Sequence, residues 1–131
     1  MAKSVRPFLM FPSKAEEALR FYVSVFPRSE VTEVRRYVKG EQGVEGTVMK
    51  ALFSVGGQSV LCTDAVVKHA FTFTPAFSFF VECDSVEELK RVTETLVSGG
   101  TTLMPVGDYG FSKLFAWVND RYGVSWQLNF G

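Results

Sequence analysis

The sequence is poor in the groups that most often announce chemistry. Its 131 residues hold one histidine, His69, and two cysteines, Cys62 and Cys83. The cysteines lie far apart, without the close spacing of zinc sites or thioredoxin-like redox pairs, so both read as reduced, partly buried thiols. A metal needs three or four convergent ligands, and His69 has no second ligand type near it, so it reads as a surface residue. Neither sign of charge is in excess: 14 Lys and Arg balance 14 Asp and Glu, and no overall field would hold a phosphate backbone or an anionic membrane face. No nucleic-acid partner is expected. No stretch approaches the roughly 20 apolar residues of a spanning helix, and residues 1–7 carry Lys3 and Arg6 without a long apolar run. These absences predict a cytoplasmic protein with no membrane partner. A glycine-rich turn entering a helix, with an acidic residue downstream to hold a nucleotide-like ligand, is also missing: the glycines of residues 40–46 are interrupted by charges and precede a strand.

Apolar residues are plentiful, at 47%, enough for one domain of this length to build a core without disulfides or metals. Phenylalanine stands out with 13 copies. Aromatic side chains suit pleated surfaces, so a sheet-rich core is the plain explanation; an aromatic-lined ligand cavity is the other.

Ser13-Lys14-Ala15-Glu16 has the form of a capping box, and Ala15, Ala18, Leu19, Tyr22 and Phe26 follow at helical spacing, predicting a helix over residues 13–26. Pro27 stops it. Strands are predicted at 31–38, 47–55 and 58–63, with a turn at 39–46 and a glycine pair, Gly56-Gly57, joining the last two. Residues 64–75 show weak periodicity and read as a linker. An apolar strand at 77–83 follows, then a helix opened by Asp84-Ser85-Val86-Glu87 with Val86, Leu89, Thr93 and Leu96 on one face, ended by Gly99-Gly100. Short strands near 101–104 and 113–118, a loop at 105–110, a turn at 120–123 and a last strand to Phe130 complete the chain.

The order strand, helix, three strands thus occurs twice. Leu9-Met10-Phe11 answers Phe79-Phe80-Val81, and Ala15-Glu16-Glu17-Ala18-Leu19 answers Val86-Glu87-Glu88-Leu89. A four-stranded unit with one helix leaves a sheet face uncovered, and pairing two such units encloses it, so a duplication makes physical sense. Strand parity places Leu9, Phe11, Phe79, Val81, Val60, Cys62, Trp126 and Leu128 toward the helices. Phe8, Met10, Ser78, Phe80, Ser59, Leu61, Thr63, Ser125 and Gln127 fall on the other side, a concave surface where a ligand would sit. The expected class is α+β: two paired βαβββ modules, at about residues 5–65 and 76–131 of a single domain, with eight mixed strands forming a concave sheet and two main helices.

Phe8-Leu9-Met10-Phe11, Ala15-Glu16-Glu17-Ala18-Leu19-Arg20-Phe21-Tyr22 and Val25-Phe26 resemble the opening of the PhnB-like branch of the vicinal oxygen chelate superfamily, which includes glyoxalase I and bleomycin-resistance proteins. Asp120-Arg121-Tyr122-Gly123-Val124-Ser125-Trp126-Gln127-Leu128 resembles its ending, and Phe77-Ser78-Phe79-Phe80-Val81-Glu82 its central strand. The resemblance implies the glyoxalase/bleomycin-resistance-like fold and a homodimer. Members of this branch often carry the label 3-demethylubiquinone-9 3-methyltransferase. In metal-using members four ligands come from the first and last strands of each module. Carried over by strand parity, those positions are Arg6, Leu61, Ala76 and Gln127, of which only Gln127 has a ligating side chain of the usual kind. No metal and no cofactor are therefore expected, and methyl transfer is disfavoured for want of a donor-binding turn.

The remaining chemical candidates are few. Glu82 and Asp64 would act as bases only if desolvated, and read more simply as solvated or capping groups. Ser78 has no histidine near it in sequence. Tyr109, near Gly107 and Gly110, would either close on a ligand or shield the sheet end, with Phe111 and Trp117 adding aromatic wall. The ligand pocket expected from this reading comprises Arg6, Phe8, Met10, Leu61, Ser78, Phe80, Glu82, Tyr109, Phe111, Trp117 and Gln127. No catalytic residue is assigned. The function expected is metal-free binding of a small, partly apolar molecule. An enzyme of lyase, isomerase or dioxygenase type, using Gln127 with Glu82 or Arg6, is the alternative, and a surface used only for dimer formation is a third reading.

Overall fold

The structure, a computed structural model, describes residues 2–131, which divide into two units, the first ending at Thr72 and the second running over Phe73–Gly131. The first contains β1 (Phe8–Phe11), α1 (Ala15–Val25), β2 (Glu30–Arg36), β3 (Val48–Val55) and β4 (Gln58–Asp64). Its sheet has the order β1-β4-β3-β2, with β1 parallel to β4 and the other pairs antiparallel. The β3–β4 hairpin closes at Gly56-Gly57, whose φ values of 56° and 87° are those a two-residue hairpin turn requires and side chains resist.

Helix α1 packs on β2, β3 and β4 and buries Ala15, Ala18, Leu19, Tyr22 and Val25. Leu9, Phe11, Ala51, Phe53, Val60 and Cys62 meet it from the sheet, all buried. Each large side chain so buried contributes about 1.5–3 kcal/mol, and this apolar interface is what holds helix to sheet. At its rim Arg36 grips Glu16 with two bonds, Nε to Oε1 at 2.8 Å and Nη2 to Oε2 at 2.6 Å.

The start of α1 differs from expectation. The helix begins at Ala15, the preceding Lys14 is left-handed (φ 67°), and no side chain of the Ser13-to-Glu16 box caps it. The cap comes from a distant strand instead: the buried Asp64 carboxylate accepts the Ala15 N–H at 2.9 Å and the Val48 N–H at 2.8 Å. A carboxylate at a helix N-terminus is favoured by the helix dipole as well as by the bond, so one aspartate fixes α1, β3 and β4 together.

The second unit contains β5 (Ser78–Glu82), α2 (Val86–Val97), β6 (Thr101–Gly107), β7 (Leu114–Asn119) and β8 (Ser125–Phe130), in the sheet order β5-β8-β7-β6 with β5 parallel to β8. Element order and topology repeat those of the first, as the internal near-repeat predicts. The eight strands form two four-stranded sheets, so the expected concave surface resolves into one helix-free face per module. Here a capping box does form, one residue later than the expected Asp84-to-Glu87 opening: Ser85 Oγ accepts the Glu88 N–H at 3.0 Å, and Glu88 Oε1 accepts the Asp84 N–H at 2.8 Å. Leu89, Val92 and Leu96 are buried against the sheet, where Phe79 stacks on Trp126 with centroids 4.8 Å apart. Phe79 and Val81, expected inside, are half-buried.

Strand β6 extends to Gly107 through Pro105, which was expected in a loop. A proline in a strand forfeits a ladder bond, and the position is tolerated because β6 is the sheet edge and its register shifts on either side of Met104. The β7–β8 turn is held by Asp120, whose Oδ1 accepts the Tyr122 and Val124 N–H groups at 2.8 and 3.1 Å and whose Oδ2 accepts the Trp126 indole N–H at 2.8 Å.

Candidate functional site

The register of the second sheet brings candidate residues into rows on the face away from α2. Phe80, Gln127, Trp117 and Met104 are cross-strand partners in one row; Ser78, Ser125, Asn119 and Thr101 form the row on one side of it. Glu82, Asn129, Phe115 and Gly107 form the row on the other. The first two of these rows are joined by a hydrogen-bond chain. Trp117 Nε1 donates to Ser125 Oγ at 2.8 Å, Ser125 and Ser78 share a hydroxyl bond of 2.6 Å, and Gln127 Nε2 donates to Ser78 Oγ at 3.4 Å. Beside this chain Phe80 is 55% exposed, a large apolar ring left to solvent on a sheet face.

Tyr109 and Phe111 pack edge-on against Phe115, at centroid distances of 6.1 and 4.9 Å, and Tyr109 OH donates to Pro105 O. By register Phe115 belongs to the same face, and under these two rings it is only 4% exposed. Tyr109 thus shields the end of the sheet. Glu82 is exposed and accepts a bond from Asn129 Nδ2 at 3.1 Å. It is a solvated carboxylate, not a desolvated base. The hydroxyl partners of Ser78 are another serine and an amide, neither of which can take its proton.

In the first unit Phe8 pairs with Leu61, and Leu61 with Leu52, forming an apolar row on the face away from α1, with Phe8 62% exposed. Met10 is half-buried, and Arg6 precedes β1 as an exposed side chain. A cavity of about 350 Å³ opens between the end of β1 and the segment after β4, lined by Met10, Val66, Val67, Lys68, His69 and Phe71 among others. Sequence reasoning missed it because residues 64–75 lack periodicity. Ser125 was also missed as a site residue, although it lies two positions before Gln127 and so on the same face. Asp64 is a capping group, with both oxygens taken by backbone N–H groups.

Neither cysteine is a nucleophile at neutral pH. Burial, and then the Asp64 carboxylate, pushes the Cys62 thiol up to about 12. Burial, with Glu88, Glu82 and Asp84 adding to it against a backbone bond from Asn129, pushes Cys83 up to about 11.

Among the described residues no group of three or more His, Cys, Asp or Glu could hold a metal ion. The positions expected for ligands from the resemblance, Arg6, Leu61, Ala76 and Gln127, offer a guanidinium, two hydrocarbon side chains and one amide, and such a set cannot complete a divalent coordination shell. These residues do not fit a catalytic metal. No helix among the described residues is long and apolar enough to cross a membrane.

The two βαβββ modules and their helix-free faces define a glyoxalase-like fold. Residues 3–129 match the family described as 3-demethylubiquinone-9 3-methyltransferase, and the chain belongs to that family. The PhnB protein from Bacillus cereus is 49% identical, with a TM-score of 0.95 over 98% of this chain and 100% of its own. Protein YjdN of Escherichia coli (strain K12) is 21% identical over 94% of this chain and 92% of its own length. The fosfomycin resistance protein FosX of Listeria monocytogenes, complexed with Mn(II) and a dihydroxypropylphosphonic acid, shares the fold at 12% identity, with a TM-score of 0.70 over 100% of this chain and 94% of its own.

Proposed function

We propose that this protein binds a small, flat, partly apolar molecule on the helix-free face of its second sheet, without a metal. The observation that carries the reading is the row Phe80–Gln127–Trp117: an exposed ring, an amide and an indole side by side, fixed by the Trp117–Ser125–Ser78–Gln127 chain. Gln127 spends one N–H on Ser78, and its Oε1 accepts no hydrogen bond from the described residues, which leaves a directional acceptor beside apolar surface. A planar ligand stacks on Phe80 and Trp117 while its polar edge meets Gln127. The protein acts as a cytoplasmic homodimer of one-domain chains, in which a two-fold partner covers apolar faces and sheet edges.

Methyl transfer, which the family description names, is not part of this reading. Neither helix opens from a glycine-rich turn: α1 follows Pro12-Ser13-Lys14 and α2 follows Asp84-Ser85. The test is a thermal-shift screen of small aromatic compounds, with each hit titrated calorimetrically into the parent and into Gln127→Leu. Loss of one neutral hydrogen bond, with the ligand's polar group left unpaired, weakens binding by roughly tenfold or more, or about 1.4 kcal/mol. Equal affinity for parent and variant would show that Gln127 is structural and the site assignment wrong.

A further inference from the structure

The first module carries a cavity that the sheet-face reading does not use, and its lining has a definite chemistry. Met10, Val66 and Phe71 supply apolar wall, and the ionisable side chains on it are Lys68 and His69, with no acidic residue among its lining. Lys68 makes no ion pair among the described residues, and the nearest acid in sequence, Asp64, has both carboxylate oxygens committed to the N–H groups of Ala15 and Val48. The His69 ring stacks on Phe71 at 4.7 Å and 22°, and the outer face of this pair is a flat surface on the cavity that Lys68 also lines. At about 350 Å³ the cavity is at the small end of ligand pockets and large enough for a bicyclic molecule.

We propose that this cavity is a second binding site, selective for a small organic carboxylate with a flat apolar body. The body lies on the His69–Phe71 platform against Met10 and Val66, and the carboxylate meets Lys68. A cation already satisfied by a neighbouring acid would gain little from such a ligand, whereas an unpaired one on the lining of a partly apolar cleft favours an anion over its neutral isostere.

The probes are 2-naphthoate and its neutral analogue 2-naphthamide, titrated into the full chain by calorimetry, with amide chemical shifts followed by NMR. The expected result is naphthoate binding at least about fivefold more tightly than naphthamide, with shifts at Lys68, His69 and Phe71. Lys68→Glu should weaken naphthoate by at least about tenfold and leave naphthamide unchanged, and Gln127→Leu should leave the naphthoate affinity and its shifts at Lys68, His69 and Phe71 unchanged. Lys68 is exposed, so its replacement leaves the fold intact, as a thermal melt will verify. Equal affinity for acid and amide, indifference to Lys68→Glu, or no saturable binding would each overturn the proposal. Loss of naphthoate binding in Gln127→Leu alone would also overturn it, by placing the probe on the second sheet and leaving the reading of that face intact.

Discussion

Replacing Asp64 by alanine is the sharpest perturbation of the first module. The carboxylate is 5% exposed and accepts the N–H of Ala15 at 2.9 Å and of Val48 at 2.8 Å. Alanine leaves both donors buried without an acceptor. At about 1–3 kcal/mol for each orphaned group the cost is roughly 2–6 kcal/mol. Removing the charge also removes its own desolvation penalty, which places the net loss in the lower half, about 2–4 kcal/mol. With a urea slope of about 2 kcal/mol per molar, the middle of the range for small proteins, the midpoint should fall by roughly 1–2 M. Both tryptophans, Trp117 and Trp126, belong to the second unit, so the transition should be followed by far-UV circular dichroism and by the amide signals of α1 rather than by fluorescence. Asp64→Asn, which keeps one oxygen acceptor, should lose about half as much. A change below about 0.5 kcal/mol for Asp64→Ala would refute the tertiary cap.

The two helix starts should respond differently to loss of serine: Ser85→Ala should cost about 1 kcal/mol in a denaturant titration, and Ser13→Ala close to nothing, since Ser13 caps no N–H. Hydrogen bonds from Arg36 hold the Glu16 carboxyl below its usual range. The stabilisation is therefore present above the ordinary carboxylate value and lost as pH falls through the lowered one; because the pair is exposed and screened by solvent, Arg36→Ala should lower stability only slightly at neutral pH, and parent and variant stabilities should converge in acid. Cys62 and Cys83, held up to about 12 and about 11, should resist a disulfide reagent in the folded protein at pH 8 and both react once it is unfolded; rapid labelling of the native protein would contradict their burial.

The fold was legible because its signals are local and repeated. Helical spacing around Leu19 and Leu89, the Gly56-Gly57 turn and strand parity at Val60-Leu61-Cys62 and Trp126-Gln127-Leu128 are set by neighbours in sequence, and the structure agrees with each to within a residue or two. Failures came where distant groups decide. Ser13 has the form of a cap, but Asp64, 49 positions from Ala15, takes the role. Pro105 reads as a loop residue, yet the edge position of β6 accommodates it. Of the candidate site, parity placed Ser78, Phe80 and Gln127 on one face, while the chain joining them through Ser125 depends on cross-strand register and was invisible. Register also determines that Glu82, itself exposed, is paired with the buried Asn129 amide instead of serving as a buried base.

The central claim, that the helix-free face of the second sheet holds its ligand without a metal, is tested most directly by titrating the strongest hit of the aromatic screen into protein stripped with a chelator, then again after adding each of zinc, nickel, iron and manganese. The donor set predicts the same affinity in every titration and no stoichiometric metal retained after dialysis. Binding that disappears in chelator and returns with one of these ions, together with about one equivalent of that ion lost on Gln127→Ala, would contradict it.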